Sequence, residues 1–156
     1  MGETIEIDTI DRAILRQLVA NGRISMTDLA MCVGLSKTPV TARVKRLEKD
    51  GVITGYRAEL SAQRLGRDHI AFVEVRLSDT REASLTKFNA ALRDIAEVEE
   101  CHLIAGGFDY LIKVRTQDIS EYRRVLSERI SGLPNIAATS TYVSMDSIRD
   151  KGVQNI

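Results

Sequence analysis

Apolar residues recur at helical spacing three times in the first fifty positions, and then the period changes. Ile10, Ile14 and Leu18 stand at i, i+4 and i+8 and predict one buried stripe on a helix from about Asp8 to Ala20. Asp8 is placed to cap that helix, Asp11 lies three residues on in the capping-box position, and Asn21-Gly22 ends it. A second helix starts at Ser25 as N-cap with Asp28 at N3. It carries Met26, Leu29, Ala30 and Val33 on its apolar face and stops at Gly34. A third begins at Ser36 as N-cap and ends at Gly51. Pro39 lies in its first turn, where a missing N–H costs no helical hydrogen bond. Val52 to Tyr56 reads as the start of a strand that Ala58 to Leu60 continues, and Gln63 to Arg67, with Gly66, reads as a linker.

From Asp68 the pattern has strand character. Ile70, Phe72 and the run Val73 to Leu77 are rich in β-branched and aromatic residues. Leu85, Phe88, Leu92 and Ile95 return to helical spacing and predict a helix over about 81–95. Val98 to Ala105 predicts a second strand, Gly106-Gly107 a turn, and Tyr110 to Thr116 a third strand. Ile119, Tyr122, Val125, Leu126, Ile130 and Leu133 mark another helix, which Pro134 stops, and Ala137 to Met145 gives the last strand. The order strand, helix, strand, strand, helix, strand predicts a ferredoxin-like split arrangement with both helices on one face of an antiparallel sheet. The other face would be left open, and strands this apolar predict that a partner subunit covers it.

The third helix has two unlike sides. Val40, Val44 and Leu47 share the side that must pack on the first two helices. Thr38, Ala42, Lys45 and Lys49 point away, flanked by Lys37, Thr41, Arg43 and Arg46. A short helix, a tight turn at Gly34 and a second helix with a polar, basic outer side form a helix-turn-helix pattern. In that motif the second helix enters the major groove of duplex DNA N-terminal end first. Ser36, Lys37, Thr38, Thr41, Arg43, Lys45 and Arg46 are then the residues that meet DNA. Lysine and arginine would pair with phosphates or guanine edges, and threonine would reach base edges or thymine methyls. Ser36 would sit at a phosphate held by the free N–H groups of the helix start. A plain three-helix bundle with a charged rim fits the same apolar stripes.

Charge sharpens this picture. The formal net charge is zero at pH 7. Residues 36–57 nonetheless hold six Lys/Arg against two Asp/Glu, or +4, and residues 67–150 hold eleven against fourteen, or −3. A basic segment beside an acidic body suggests one anion-binding surface and a second region with another task. Hydrophobic residues at 44% and charged residues at 28% are those of a globular protein. No apolar run reaches the roughly 18 residues that span a bilayer. Met1 to Asp8 is acidic and lacks the basic start of a secretory signal. Cys32 and Cys101 form no ligand-spaced pair and read as reduced thiols of a cytoplasmic protein. Neighbouring Cys101 and His102 would face opposite sides of a strand, so no metal site is expected. His69 reads as an exposed surface residue near the linker, and the run Glu97, Glu99, Glu100 as solvated. No nucleotide-binding glycine loop, nucleophile elbow or acid–base pair stands out, so an enzyme built on the second domain has little to rest on. A scaffold whose head binds another protein remains a third reading.

The chain resembles the Lrp/AsnC family, the leucine-responsive or feast/famine regulators, over about Ile7 to Asp150. In the first third the resemblance rests on Asp8-x-x-Asp11-Arg12-x-Ile14-Leu15, Asn21-Gly22-Arg23-Ile24-Ser25 and Val33-Gly34-Leu35-Ser36-x-Thr38-Pro39. It continues with Arg43-Val44-x-Arg46-Leu47-Glu48 and Gly51-x-Ile53-x-Gly55-Tyr56. Beyond these it rests on Glu100-Cys101-His102-Leu103, Gly106-x-Phe108-Asp109-Tyr110-Leu111, Tyr122-Arg123 and Leu133-Pro134. Lys37 departs from the leucine-responsive branch, where a proline is frequent; the resemblance extends to the proline-catabolism activators of that type.

The resemblance implies an α+β chain: a winged helix-turn-helix domain over 1–57, a linker strand over 58–67, a ferredoxin-like βαββαβ domain of RAM type over 68–150, and a tail over 151–156. It implies a cytoplasmic transcription regulator without cofactor. Its partners would be double-stranded DNA and a small amino-acid effector, leucine or similar, and it would be a homodimer that assembles to an octamer. The effector site would use Gly106, Gly107, Phe108, Asp109 and Tyr110 with Thr139, Ser140 and Thr141 of the last strand. Such a site makes chemical sense. Backbone N–H groups of a glycine turn suit a carboxylate, Asp109 or strand-end carbonyls suit an ammonium, and the hydroxyls add neutral donors. Without the resemblance, the same residues describe a hairpin turn capped by Asp109.

Overall fold

A computed structural model describes residues 5–150 and 152–154. Residues 1–4 of the expected head and 151, 155 and 156 of the expected tail lie outside the described residues. The chain divides into two compact units, Met1–Ala58 and Glu59–Ile156. No helix among the described residues is long and apolar enough to cross a membrane.

The first unit holds helices α1 (Thr9–Ala20), α2 (Met26–Val33) and α3 (Lys37–Lys49). The expected capping box closes α1: the Asp11 N–H donates to Asp8 Oδ1 at 2.7 Å, and the Asp8 N–H to Asp11 Oδ2 at 3.2 Å. Ser25 caps α2 through its hydroxyl, which accepts from the Asp28 N–H at 3.1 Å. Gly34 ends that helix in the left-handed region, at φ 69° and ψ 31°. Ile14, Leu29, Val40 and Leu47 lose all solvent exposure, with Leu18, Ala30 and Val44 beside them, so all three expected stripes meet in one core. The strand expected from Val52 onward is not formed. Val52 and Ile53 both donate their N–H groups to the Leu47 carbonyl, at 2.9 and 3.0 Å, and their side chains pack on the helical core. Tyr56 donates to Glu48 Oε1 at 2.9 Å. The segment folds back on the end of α3, and no second strand among the described residues of this unit is there to pair with it.

The second unit contains β1 (His69–Leu77), α4 (Glu82–Leu92), β2 (Val98–Leu103), β3 (Tyr110–Thr116), α5 (Ile119–Val125) and β4 (Ile136–Val143). A π-type turn, Leu126–Ile130, extends α5. The strands form one antiparallel sheet in the order β2-β3-β1-β4, the ferredoxin-like arrangement. Ala71, Val73 and Val75 of β1 and Tyr110, Ile112 and Val114 of β3 face Phe88 and Leu92 of α4 and Tyr122 and Val125 of α5. The Phe88 and Tyr110 rings lie 4.6 Å apart. Alternation on β1 and β3 thus fixes the register, since a one-residue slip would turn every one of these side chains outward. α4, β2 and β4 are shorter or shifted by one to three residues relative to the periodicity, as expected of fraying ends.

Across the sheet from the helices, the structure departs further from expectation. Arg115 is 2% exposed and Lys113 9%. The Arg115 guanidinium donates to Glu99 Oε1 at 2.6 Å, to the Arg67 carbonyl at 3.0 Å, and to Asp150. Lys113 Nζ lies 2.7 Å from Asp150 and 3.1 Å from Glu99. Two cations and two carboxylates therefore neutralise one another. Burial alone would raise the Asp150 pKa, but the hydrogen bonds from Lys113 and Arg115 hold it below the usual aspartate value. The expected solvated run is thus divided: Glu99 is buried, and Glu97 binds Arg129 at 2.7 Å.

His69 is half-buried rather than exposed. Thr116 Oγ1 donates to the Asp118 carbonyl, so the contact of 2.9 Å from His69 Nδ1 is one in which the ring N–H donates. The described part of the expected tail is packed: Val153 is 3% exposed, and its N–H points at the Leu60 carbonyl. The expected linker strand is a turn, with Arg67 N–H donating to Ala62. The open sheet face is thus partly covered by this chain itself. Phe72 and Tyr142, toward β1 and β4, stay exposed.

Arg115→Ala is expected to destabilise the second unit by about 3–5 kcal/mol, because it leaves the buried Glu99 carboxylate and the partly exposed Asp150 facing a single lysine. Urea unfolding followed by circular dichroism checks this, and a loss below about 1 kcal/mol, the scale of a surface pair, would contradict it.

Candidate nucleic-acid interface and effector cleft

α3 presents its charged residues in two classes. Ser36, Lys37, Thr38, Lys45 and Lys49 are exposed, while Val40, Val44 and Leu47 anchor the opposite side. Ser36 occupies the N-cap position but makes no side-chain cap, and the first turn contains no acidic residue. By contrast, Asp11 and Asp28 stand in the first turns of α1 and α2, and each of those helices has a side-chain cap. The positive end of α3 is therefore the one left uncompensated in this unit. Thr41 donates its hydroxyl back to the Lys37 carbonyl at 2.8 Å.

Arg43 and Arg46, expected at the DNA surface, are held elsewhere. Arg43 Nη1 lies 2.6 Å from Asp8 and 2.8 Å from Asp11, and Arg46 also binds Asp11. Asp11 is fully buried. Its carboxylate thus completes the α1 capping box and ties α1 to α3. At Asp8, the Asp11 N–H and then the Arg43 guanidinium hold the carboxyl below its ordinary range, and the Asp8 and then the Asp11 carboxylate raise Arg43. Arg46 remains about half exposed beyond its contact. Sequence reasoning missed this link. The i, i+3 spacing of the two arginines puts them on one side of a helix, but nothing local ties them to an aspartate some 32 to 35 positions away.

The expected effector residues do not all share one place. Asp109 stitches two strand ends together. Its carboxylate accepts from the Leu77 N–H at 2.7 Å, its N–H donates to Val75 at 2.9 Å, and its carbonyl accepts from Ile104 at 2.8 Å. Tyr110 is buried against Phe88, and Thr141 meets the Tyr122 hydroxyl at 2.6 Å. Thr139 pairs with Val75 and so shares that helix-facing side. Gly106 and Gly107 lie in the exposed turn, and neither takes the left-handed backbone. A Cβ on Gly107 would meet no atom within 4 Å, so the isolated chain does not require glycine there.

Phe108 and Ser140 do come together. With Glu74, Arg76 and Ala138 they line a cleft of about 250 Å³. The cleft offers a guanidinium, a carboxylate, a hydroxyl and an aromatic wall, the groups that an α-amino acid needs. Glu74, Arg76 and Ala138 went unnamed in the sequence reasoning. The signal was present on β1, where Phe72, Glu74 and Arg76 alternate with buried Val73, Val75 and Leu77. Both cysteines are free, and burial pushes the Cys101 thiol up to about 11.

Comparison with known proteins bears on both units. Residues 7–54 match the model for winged helix-turn-helix DNA-binding domains, and residues 70–153 match that of the Lrp/AsnC ligand-binding domain. A proline dehydrogenase transcriptional activator of Rhodobacter capsulatus is 60% identical over 142 residues, covering 91% of this chain and 92% of that protein. A leucine-responsive regulatory protein of Escherichia coli K12 is 43% identical over 144 residues, covering 92% and 88%. Among solved structures, a feast or famine regulatory protein from M. tuberculosis complexed with L-methionine superposes with a TM-score of 0.85 at 32% identity, covering 93% of this chain and 96% of that one.

Asp11→Asn is expected to lower the stability of the first unit by about 3 kcal/mol, since two guanidinium groups lose their buried partner. Thermal unfolding of the full chain, read by helical signal, tests this; an unchanged transition would show that the pairs are ornamental.

Proposed function

This chain belongs to the Lrp/AsnC family of transcription regulators, and from that premise we propose which of its surfaces meet DNA and effector. α3 is the helix laid in the major groove. The observation that carries this is the uncapped N-terminus of α3, free of acids in its first turn and flanked by exposed Lys37, Thr38 and Lys45. Ser36 and the free N–H groups receive a phosphate, Thr38 and Thr41 lie toward base edges, and Lys37 and Lys45 neutralise the backbone. Arg43 and Arg46 act first as struts that fix α3 on α1. Arg46, half exposed, adds a phosphate contact from the edge of that strut.

The DNA-binding head spans 1–57, and the second domain, over 68–150, binds a small amino acid and assembles the protein. Phe108 and Ser140, with Glu74 and Arg76, contribute to the effector site: Arg76 faces the carboxylate, Glu74 the ammonium, and Phe108 the side chain. Asp109 holds the turn that carries Phe108. Gly106 and Gly107 keep the turn open to a neighbouring subunit or ligand. Tyr110, Thr139 and Thr141 support the site from the helix side of the sheet. The homodimer forms through the exposed part of the sheet around Phe72 and Tyr142 and associates further toward an octamer. An effector bound where subunits meet stabilises one assembly over another, and only that difference in affinity can change DNA binding. The relatives direct the choice of effector to leucine, methionine or proline. The protein works in the cytoplasm, where both thiols stay reduced.

Lys45→Ala is expected to weaken binding to the chain's own upstream DNA uniformly and to reduce the slope of log K against log[salt] by about 1, without changing thermal stability. Fluorescence anisotropy across a salt series tests it, and an unchanged affinity and slope would remove α3 from the DNA surface. A thermal-shift screen of the twenty amino acids, followed by sizing with the hit, identifies the effector. Arg76→Ala is expected to weaken that hit at least tenfold in calorimetry, and full retention of affinity would move the carboxylate elsewhere.

A further inference from the structure

The second unit contains a contact that neither the DNA surface nor the effector cleft uses. Gly152 lies at φ +72°, and a Cβ there would fall well inside contact distance of the Leu60 carbonyl oxygen. The Val153 N–H points at that same carbonyl, at 3.4 Å, and its side chain is buried at 3% exposure. On either side of this contact the segment is fixed by polar bonds. Asp150 binds Lys113 and Arg115, and the Gln154 N–H donates to Glu99 Oε1 at 3.2 Å. Leu60 is the second residue of this unit. The same Arg115 that holds Asp150 also donates to the carbonyl of Arg67, at the far end of the turn 61–67. The entry segment 59–67 is thus pinned at both ends, at Leu60 by the packed segment and at Arg67 by the cluster that anchors that segment.

We propose that Asp150 and residues 152–154 form an internal clasp that holds the entry segment 59–67 of the second unit against β3. The clasp is a conformational device: while it is shut, the chain enters the sheet domain from a fixed point, and when it opens, 59–67 becomes a slack tether. Its chemistry suits a contact that opens reversibly. Val153 supplies a single apolar side chain, the polar anchor is Asp150, and the remaining fit depends on the absence of a side chain at position 152. Lys113 and Arg115 of β3 hold it only through their side chains on the face away from the helices, so the backbone bonds of the β1–β3 ladder and the helix-facing core persist when it opens.

The test is hydrogen–deuterium exchange, resolved by peptide, on the full-length protein and on Gly152→Ala, Asp150→Asn and Val153→Ala. Gly152→Ala strikes the backbone contact, Asp150→Asn keeps the shape and removes the charge, and Val153→Ala is the mildest if either of the others fails to fold. The expected result is at least a tenfold rise in exchange over 59–67 in each folded variant, with β1 and β3 unchanged. Tryptic cleavage after Arg64 and Arg67 should quicken in parallel. Unchanged exchange over 59–67, despite a loosened 152–154, would overturn the proposal. So would equal loss of protection in β1 and β3, because the segment would then be core rather than clasp.

Discussion

A guanidinium group cannot be buried bare, and the second unit is organised around meeting that requirement. Arg115 sits in the middle strand pair of the sheet, on the face away from the helices, with 2% of its surface exposed. Its donors must be matched at short range or the residue would cost several kcal/mol. The matches come from three separate stretches: Glu99 on β2, the carbonyl of Arg67, and Asp150. Satisfying one side chain therefore fixes the edge strand, the entry segment and the packed segment near the end of the described chain. Lys113 repeats the arrangement one pleat along, with Glu99 and Asp150 as its partners.

The first unit solves a similar problem with opposite charge. Asp11 is buried completely and accepts from the Asp8 backbone and two arginines. The result ties the start of α1 to the middle of α3 and sets the angle at which α3 offers its other side. Such a rigid platform fixes the orientation of the outer side of α3, because a contact placed loosely loses its orientation along with its entropy. The basic residues of α3 thus divide: Arg43 and Arg46 hold the helix on α1, while Lys37, Lys45 and Lys49 stay exposed on its outer side.

In the effector region, residues close in sequence diverge in role. Phe108, Asp109 and Tyr110 are consecutive, yet one lines a cleft, one bonds strand ends and one enters the core. The alternation of a strand and the reach of a carboxylate to neighbouring amides cause this division. The cleft beside Phe108 then draws on Glu74 and Arg76 from another strand, brought alongside Ala138 and Ser140 by the pairing of β1 with β4.

The sequence by itself determined the elements and their faces. Apolar spacing located five helices and four strands among the described residues, alongside a strand from Val52 that does not form; the side chains Asp8, Asp11 and Ser25 marked helix starts, and the order of elements gave the ferredoxin-like topology. These features are local, carried by period and by hydrogen bonds within three or four residues, so one stretch of chain suffices to read them. Tertiary structure alone decided which charges are paired. Arg43 and Arg46 meet Asp11, Glu99 meets Arg115, Asp150 bridges to β3, and Gly152 and Val153 of the expected tail pack on Leu60. Each of these pairs joins residues at least 16 positions apart. Nothing in spacing or composition encodes such a pair, because the cost of burying a charge is known only once the fold has chosen what surrounds it.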